Sequence, residues 1–523
     1  MRNATFDLLS TLLALGAVPA TYKPTPVGPP MHRESPAQGL TRTGNLLLMG
    51  PHNITYFPKV AELSDPACHV EPYSAPPIGS QEFPPYDEKI ATIFRYRQQR
   101  SINLGSWFVH ENWMTPSVFN CAAGEGIAEI DIANGWGSKE NARANDFLFL
   151  STIGINTVRL PIGYWNLGPE FCQGTPFADV SEVYQNSWSR IVRAINMAGR
   201  YGLGVLVDLH GAANLFSDAG NQDKTINVLT YLTRQLLHVN NVVGIEILNE
   251  PQYVDGLEGF YSRALDEMRG VDTDATQFPL YLHNGFDMDR FSQFLGQRND
   301  FSVQDHHSYF VYTDADRGLS AVEHVKNVAD LVSSAIHQAS DQVRRNMIIG
   351  EFCCALTPDS MIDFCSGQVD TYGDRTAGWH FWGYLKEDCD QDPGWCFKSA
   401  IATVLPANFA SHYAKPSRTW FNGTHSNANQ SDRQEAHPLF LALVDLPLHR
   451  RDDSSGQPVD ASSHGYTDGK ITAQIFASHN DSKLGFVNQY ISDSMQNLIN
   501  LGALLAESKG QYSDGFWRGL YEP

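Results

Sequence analysis

Val242-Val243-Gly244-Ile245-Glu246-Ile247-Leu248-Asn249-Glu250-Pro251 opens as a short, β-branched apolar run and closes on an amide, a carboxylate and a proline. Such a run, bounded by turn formers, predicts a buried strand with chemistry at its C-terminal end. Seven further runs share this length and character: Ile102–Val109, Ile155–Pro161, Gly204–His210, Pro279–Asn284, Phe301–His306, Met347–Phe352 and Ala377–Trp382. Between them lie stretches of helical spacing. Trp188, Ile191, Val192, Ile195 and Ala198 share one face, as do Leu229, Leu232 and Leu236. Strands alternating with helices predict a parallel sheet, and eight such units over about 300 residues predict a closed (β/α)8 TIM barrel of the α/β class. No glycine-rich phosphate loop follows the first run, which argues against a dinucleotide-binding fold.

Working outward, residues 96–424 are expected to form the barrel. Residues 21–95 are rich in proline (Pro24, Pro26, Pro29-Pro30, Pro76-Pro77, Pro84-Pro85) and carry no long periodic pattern, so they predict an N-terminal arm. Residues 425–523 predict a partly helical C-terminal extension. Its stripe of Val487, Tyr490, Ile491, Leu498, Leu501 and Leu505 is expected to pack on the outside of the barrel, and the same periodicity is open to a separate small domain.

The chain of 523 residues is 42% hydrophobic and only 18% charged, which excludes global disorder. Its 37 Lys plus Arg face 58 Asp plus Glu, a net charge of −21 that repels phosphate backbones and anionic membranes. Aromatic residues reach 11%, a supply of rings suited to neutral sugars. A partner that is a polysaccharide is therefore expected, with no nucleic acid and no membrane span.

The N-terminus reads as a secretory signal over residues 1–20: Arg2, an apolar run from Leu8, and Val18-Pro19-Ala20 at the cleavage point. Sequons at Asn3, Asn53, Asn422, Asn429 and Asn480 agree with a secreted, extracellular or wall-associated glycoprotein, expected to be monomeric. The eight cysteines form no Cys-x-x-Cys pair, so a few disulfides are expected and a zinc site is not. Because Cys353 and Cys354 are adjacent, one of them is expected to be a buried free thiol.

Six of the runs end in a reactive side chain: Arg159, His210, Asn249-Glu250, His307-Ser308-Tyr309, Glu351 and Trp382. In a barrel those ends build one cleft. Burying that many polar groups costs several kcal/mol each unless they are paired. Two carboxylates on one sugar suit glycoside hydrolysis, one donating a proton to the leaving oxygen and the other attacking the anomeric carbon. Glu250 fits the acid/base role and Glu351 the nucleophile. Arg159 and Tyr309 are expected to donate to Glu351, Asn249 to bond the sugar 2-hydroxyl, and Trp382 to floor the subsite. His210 and His307 read in isolation as ordinary core histidines, but their places just past strands draw them to the site. No metal and no cofactor is expected, because this chemistry needs neither.

The ordered set from Arg159 to Trp382 resembles glycoside hydrolase family 5 over about residues 100–400. The likeness narrows to the fungal exo-β-1,3-glucanases. It is carried by Leu104-Gly105-Ser106-Trp107-Phe108-Val109-His110-Glu111-Asn112-Trp113-Met114-Thr115-Pro116-Ser117, by Asn156-Thr157-Val158-Arg159-Leu160-Pro161-Ile162-Gly163-Tyr164-Trp165, and by His283-Asn284-Gly285-Phe286. The resemblance implies that Glu111 holds outer hydroxyls of the terminal glucose. It also implies that Phe216, Phe286 and Tyr312 line the entrance, Tyr312 standing where the family usually has Phe. The stretch Ala213–Gly220 is shorter than the family's usual loop, and Phe352 stands where Trp is common. β-1,6-Glucanase, plant diglycosidase and glucosylceramide-type activities stay open, as does a non-catalytic carbohydrate-binding barrel.

Overall fold

The computed structural model describes residues 79, 81–120, 122–123, 125–135, 144–212, 216, 218–356, 361–405, 460–479 and 482–522. Eight parallel strands, β1 (Gln99–Asn103), β2 (Thr157–Gly163), β3 (Gly204–Gly211), β4 (Val242–Glu246), β5 (Leu280–His283), β6 (Ser302–Ser308), β7 (Met347–Phe352) and β8 (Gly378–Phe381), close into a barrel. The seam is β8 on β1, in register Gln99↔Gly378 to Ile102↔Phe381. The expected (β/α)8 architecture is present.

β1 differs from its expected span of Ile102–Val109, because Ser106 takes a left-handed φ of 56° and ends the extended chain. Ser106 Oγ then accepts from Glu111 N at 3.1 Å, which turns the segment over the mouth. β4 likewise stops before Asn249. Asn249 N still reaches Leu209 O at 3.1 Å, while Glu250 has a φ of 35°. The helices run as their spacing predicts. Ser187–Arg200 buries Ile191, Val192, Ile195 and Ala198, and Ala219–Leu236 buries Leu229, Leu232 and Leu236. Asp218 caps the second of these by accepting from Gly220 N.

Two features depart from expectation. The end of the proline-rich arm is a helix, Glu88–Tyr96, capped by Asp87, which accepts from Lys89 N and Ile90 N. The C-terminal helices Ala461–Ser478, Val487–Asn500 and Lys509–Tyr521 do not lie along the barrel's outside. They close its N-terminal end. Val243, Tyr281, Val303 and Ile348, each the second residue of its strand, and Leu206, the third of β3, share one apolar cluster with Tyr96, Phe486, Val487, Ile491, Leu498 and Phe516. Leu501 and Leu505 stay exposed, outside the buried stripe. The barrel mouth, at the C-terminal strand ends, is thereby left as the open face.

Cys354–Cys365 and Cys389–Cys396 are disulfides, and Cys353 is a buried thiol, as its adjacency to Cys354 predicts. Cys172 is also a buried thiol. The signal segment, the five sequons, Cys68 and Cys121 lie outside the described residues. Among the described residues no helix is long and apolar enough to cross a membrane.

Candidate active site

The strand ends bring Arg159, His210, Asn249, Glu250, His307, Tyr309, Glu351 and Trp382 to the barrel mouth. Arg159, on β2, is wholly buried and radiates to five neighbours. It donates from Nη1 to Glu351 Oε1 at 2.9 Å and Asn103 Oδ1 at 3.0 Å, from Nη2 to Asn249 Oδ1 at 2.9 Å, and from Nε to Glu246 Oε2 at 2.8 Å. Asp208 Oδ2 lies 3.2 Å from Nη2. Burial works against the Arg159 charge, but Asp208, Glu246, Glu351 and Asp305 outweigh it and hold the guanidinium firmly protonated.

Glu351 lies at the floor, its side chain 5% exposed, and receives Tyr309 Oη on Oε2 at 2.7 Å. Glu250 stands on the rim with 38% of its side chain exposed. One imidazole joins them: His307 Nδ1 is 2.7 Å from Glu250 Oε1 and 3.4 Å from Glu351 Oε2. Those two carboxylate oxygens therefore lie no more than about 6.1 Å apart, the sum of the two distances.

Burial raises Glu351 above the ordinary carboxyl range, against the pull of His307 and Arg159. Enclosure would raise Glu250 too, but its hydrogen bond to His307 and the charges of His307, His210 and Arg159 bring it below that range. This order is the reverse of the one expected from the sequence, an acidic Glu250 beside an ionised Glu351. The cause is enclosure: on the buried floor Glu351 loses more by desolvation than His307 and Arg159 restore, whereas the 2.7 Å contact with His307 holds Glu250 down.

His210 meets Asp208 Oδ2 through Nδ1 at 2.8 Å and lies flat against Trp382, with centroids 5.5 Å apart and planes 9° apart. Asn249 Nδ2 is 3.5 Å from His210 Nε2, so the amide is oriented from both ends. Glu111 accepts from Trp113 Nε1 at 2.8 Å on Oε2, while its buried Oε1 has no hydrogen-bond partner among the described residues. Burial pushes Glu111 up to about 7, with the Glu351 and Glu250 charges adding to the rise and His210 opposing it.

The three expected entrance rings diverge. Tyr312 is 62% exposed and sits edge-on to Tyr309 at 5.6 Å. Phe286 sits edge-on to His283 at 4.9 Å, its backbone at a φ of 64°. Phe216 packs edge-on to Phe260 of the helix Leu257–Arg269 at 6.4 Å, and no contact ties it to the carboxylates among the described residues.

The sequence reading missed the layer beneath: Asp208, Glu246 and Asp305, all fully buried. The period-2 alternation of strands was the available signal, since Asp208 and Asp305 stand two residues before His210 and His307 and face the same way. It also missed Trp395, which stacks on Tyr309 at 5.5 Å and meets Trp113 edge-on at 5.4 Å. Glu246, Asp305 and His307 have ligand-type atoms within 4.8 Å of one another, but Glu246 already has the Arg159 guanidinium as its counter-charge, and we do not assign a metal there.

Residues 120–400 match the family model described as cellulase, glycosyl hydrolase family 5. A protein named glucan 1,3-beta-glucosidase 3 from Schizosaccharomyces pombe is 29% identical, the match covering 59% of this chain and 73% of that protein. A probable glucan 1,3-beta-glucosidase A from Aspergillus niger is 30% identical over 60% of this chain and 89% of its own length. A glucan 1,3-beta-glucosidase from Kluyveromyces lactis is 30% identical over 49% and 67%.

Proposed function

The chain belongs to glycosyl hydrolase family 5, and on that premise we propose that it is a retaining, exo-acting β-glucosidase whose polymer is β-1,3-glucan, working outside the cell or on its wall. The observation that carries the retaining reading is the carboxylate pair spanned by one imidazole. Their oxygens, within about 6.1 Å, suit direct attack, whereas an inverting pair stands about 6.5–9.5 Å apart to admit a water.

In this reading a glucosyl unit enters the cleft with its ring over Trp382. Glu351 attacks the anomeric carbon as the glycosidic bond breaks, and the proton shared by Glu250 and His307 passes from Glu250 to the departing oxygen. Arg159 and Tyr309 keep both Glu351 oxygens occupied by donors, which lowers the basicity of the carboxylate and aims it. Glu250 then takes a proton from water, which attacks the same carbon and releases Glu351. Asn249, oriented by Arg159 and His210, meets the 2-hydroxyl as charge develops on the ring.

Exo action is supported by Glu111. Its unpartnered, buried Oε1 would accept from hydroxyls at the non-reducing end, the end at which a terminal unit must stop. The β-1,3 linkage is inferred from the names of the relatives.

A panel of laminarin, pustulan, rutin and an aryl β-glucoside tests the reading. Glucose released one unit at a time from laminarin is the expected result. Preference for pustulan or rutin would move the activity to the β-1,6-glucanases or diglycosidases, and failure on every aryl glycoside would leave only a carbohydrate-binding barrel.

A further inference from the structure

Beneath the carboxylate pair, Asp305 occupies an unusual place. It is fully buried on β6, and its Oδ1 accepts from Gly350 N at 2.6 Å, the residue before Glu351. A Cβ on Gly350 would collide with the Asp305 carboxylate, so glycine is the residue that lets the acid lie against β7. Among the described residues, Asp305 Oδ2 has no partner within ordinary hydrogen-bond geometry, and neither has His307 Nε2. These two buried, unpartnered atoms face each other across 3.5 Å. An unpaired polar atom in the interior costs free energy, so such atoms are expected to serve one another.

Resting on the reading of Glu250 as acid/base, we propose that Asp305 is a positioning residue which fixes the tautomer of His307. By accepting from Nε2–H, Asp305 leaves the lone pair of Nδ1 facing Glu250 Oε1, 2.7 Å away. With the proton on Glu250, its O–H donates to Nδ1 and Glu250 holds the proton that the leaving oxygen needs; with the proton moved onto Nδ1, the charged His307 holds Glu250 ionised, which is the state that brings Glu250 below the ordinary carboxyl range. With the other tautomer, Nδ1–H donates to Glu250 and compels it to stay an ionised acceptor. The imidazole of an acid–base pair is set by whatever its far nitrogen touches. Through Gly350 the same carboxylate also sets the height of Glu351, so one buried side chain serves both reacting groups.

Asp305→Asn is the test. Asparagine still accepts from Gly350 N but turns its amide N–H toward Nε2, which favours the Nδ1–H tautomer. Kinetics on two aryl β-glucosides, one with a good leaving group and one with a poor one, should separate the roles. Loss of the acid slows the poor leaving group by about a hundredfold, within the range of general acid catalysis, and leaves the good one nearly unchanged, with KM held. Equal losses on both, or none, overturn the proposal. Glu250→Ala is run beside it: a split there with no split in Asp305→Asn sinks the Asp305 role alone, whereas no split in Glu250→Ala removes the acid/base reading and this role together. Imidazole 15N shifts of His307 in the intact protein give a check that needs no variant. The Nε2–H form is expected, and the Nδ1–H form overturns the proposal.

Discussion

Arg159 donates to Glu351 across 2.9 Å from a guanidinium whose remaining N–H groups are taken by Asn103, Asn249, Glu246 and Asp208. Glu351 is therefore presented by a cation that cannot turn away. Glu351→Gln keeps the shape and still accepts from Arg159, but offers no anion to attack carbon. Turnover should fall at least about a thousandfold while glucose-configured ligands still bind. Calorimetric titration beside rate measurements checks this, and near-normal turnover would remove Glu351 as nucleophile.

On the retaining reading proposed above, the short span between Glu250 and Glu351 sets the stereochemistry. Two displacements at one carbon return it to its starting configuration, so the first sugar released should be the β anomer, decaying to the α form by mutarotation. A 1H NMR time course within the first minutes reads this directly. An α anomer at the outset would require water between the carboxylates, in a cleft wider than the one His307 spans.

The barrel and its reacting ends were legible because β-branched runs alternate with helical spacing and because charged residues at strand ends have no other economical place. Arg159, Glu250, His307, Tyr309 and Glu351 met as expected. What lay hidden was decided by tertiary contact. The acids Asp208, Glu246 and Asp305 sit inside apolar runs, where the run's average character conceals a single inward charge. Trp395 follows the last strand by 14 residues and reaches Tyr309 only because the chain folds back there. The C-terminal stripe correctly marked a packed helix, but period alone does not tell the side of a barrel from its end.

That end depends on glycine. Gly465 and Gly469 of one helix face Gly515 and Gly519 of its neighbour, and a Cβ at any of them would strike the opposing backbone, as at Ser462 O for Gly515. Gly515→Ala must push the helices apart and should destabilise the fold by about 1–3 kcal/mol. The mouth lies at the opposite end of the strands, so kcat on an aryl glucoside at low temperature should stay near its original value. A lowered melting temperature with unchanged kcat is the expected pair of results. Lost activity at full stability would mean that the two ends are coupled.

Glu111 carries a pH signature of its own. Burial and the neighbouring Glu351 and Glu250 charges raise it to about 7, so it is protonated below that pH and ionised above it. Sugar hydroxyls donate more strongly to a carboxylate than to a carboxylic acid, so binding favours the ionised form. The sign follows: the Kd of a neutral, glucose-configured inhibitor should be lowest above about pH 7 and should rise as pH falls through it, by about tenfold per unit once the proton is on. Glu111→Gln removes the titrating group without removing the side chain, so its Kd should be weaker throughout and should lose this step. Calorimetry from pH 5 to 8 on both proteins distinguishes the two curves. If the step persists in Glu111→Gln, it belongs to the unit formed by Glu250, His307 and Glu351, and Glu111 does not hold the sugar as an anion.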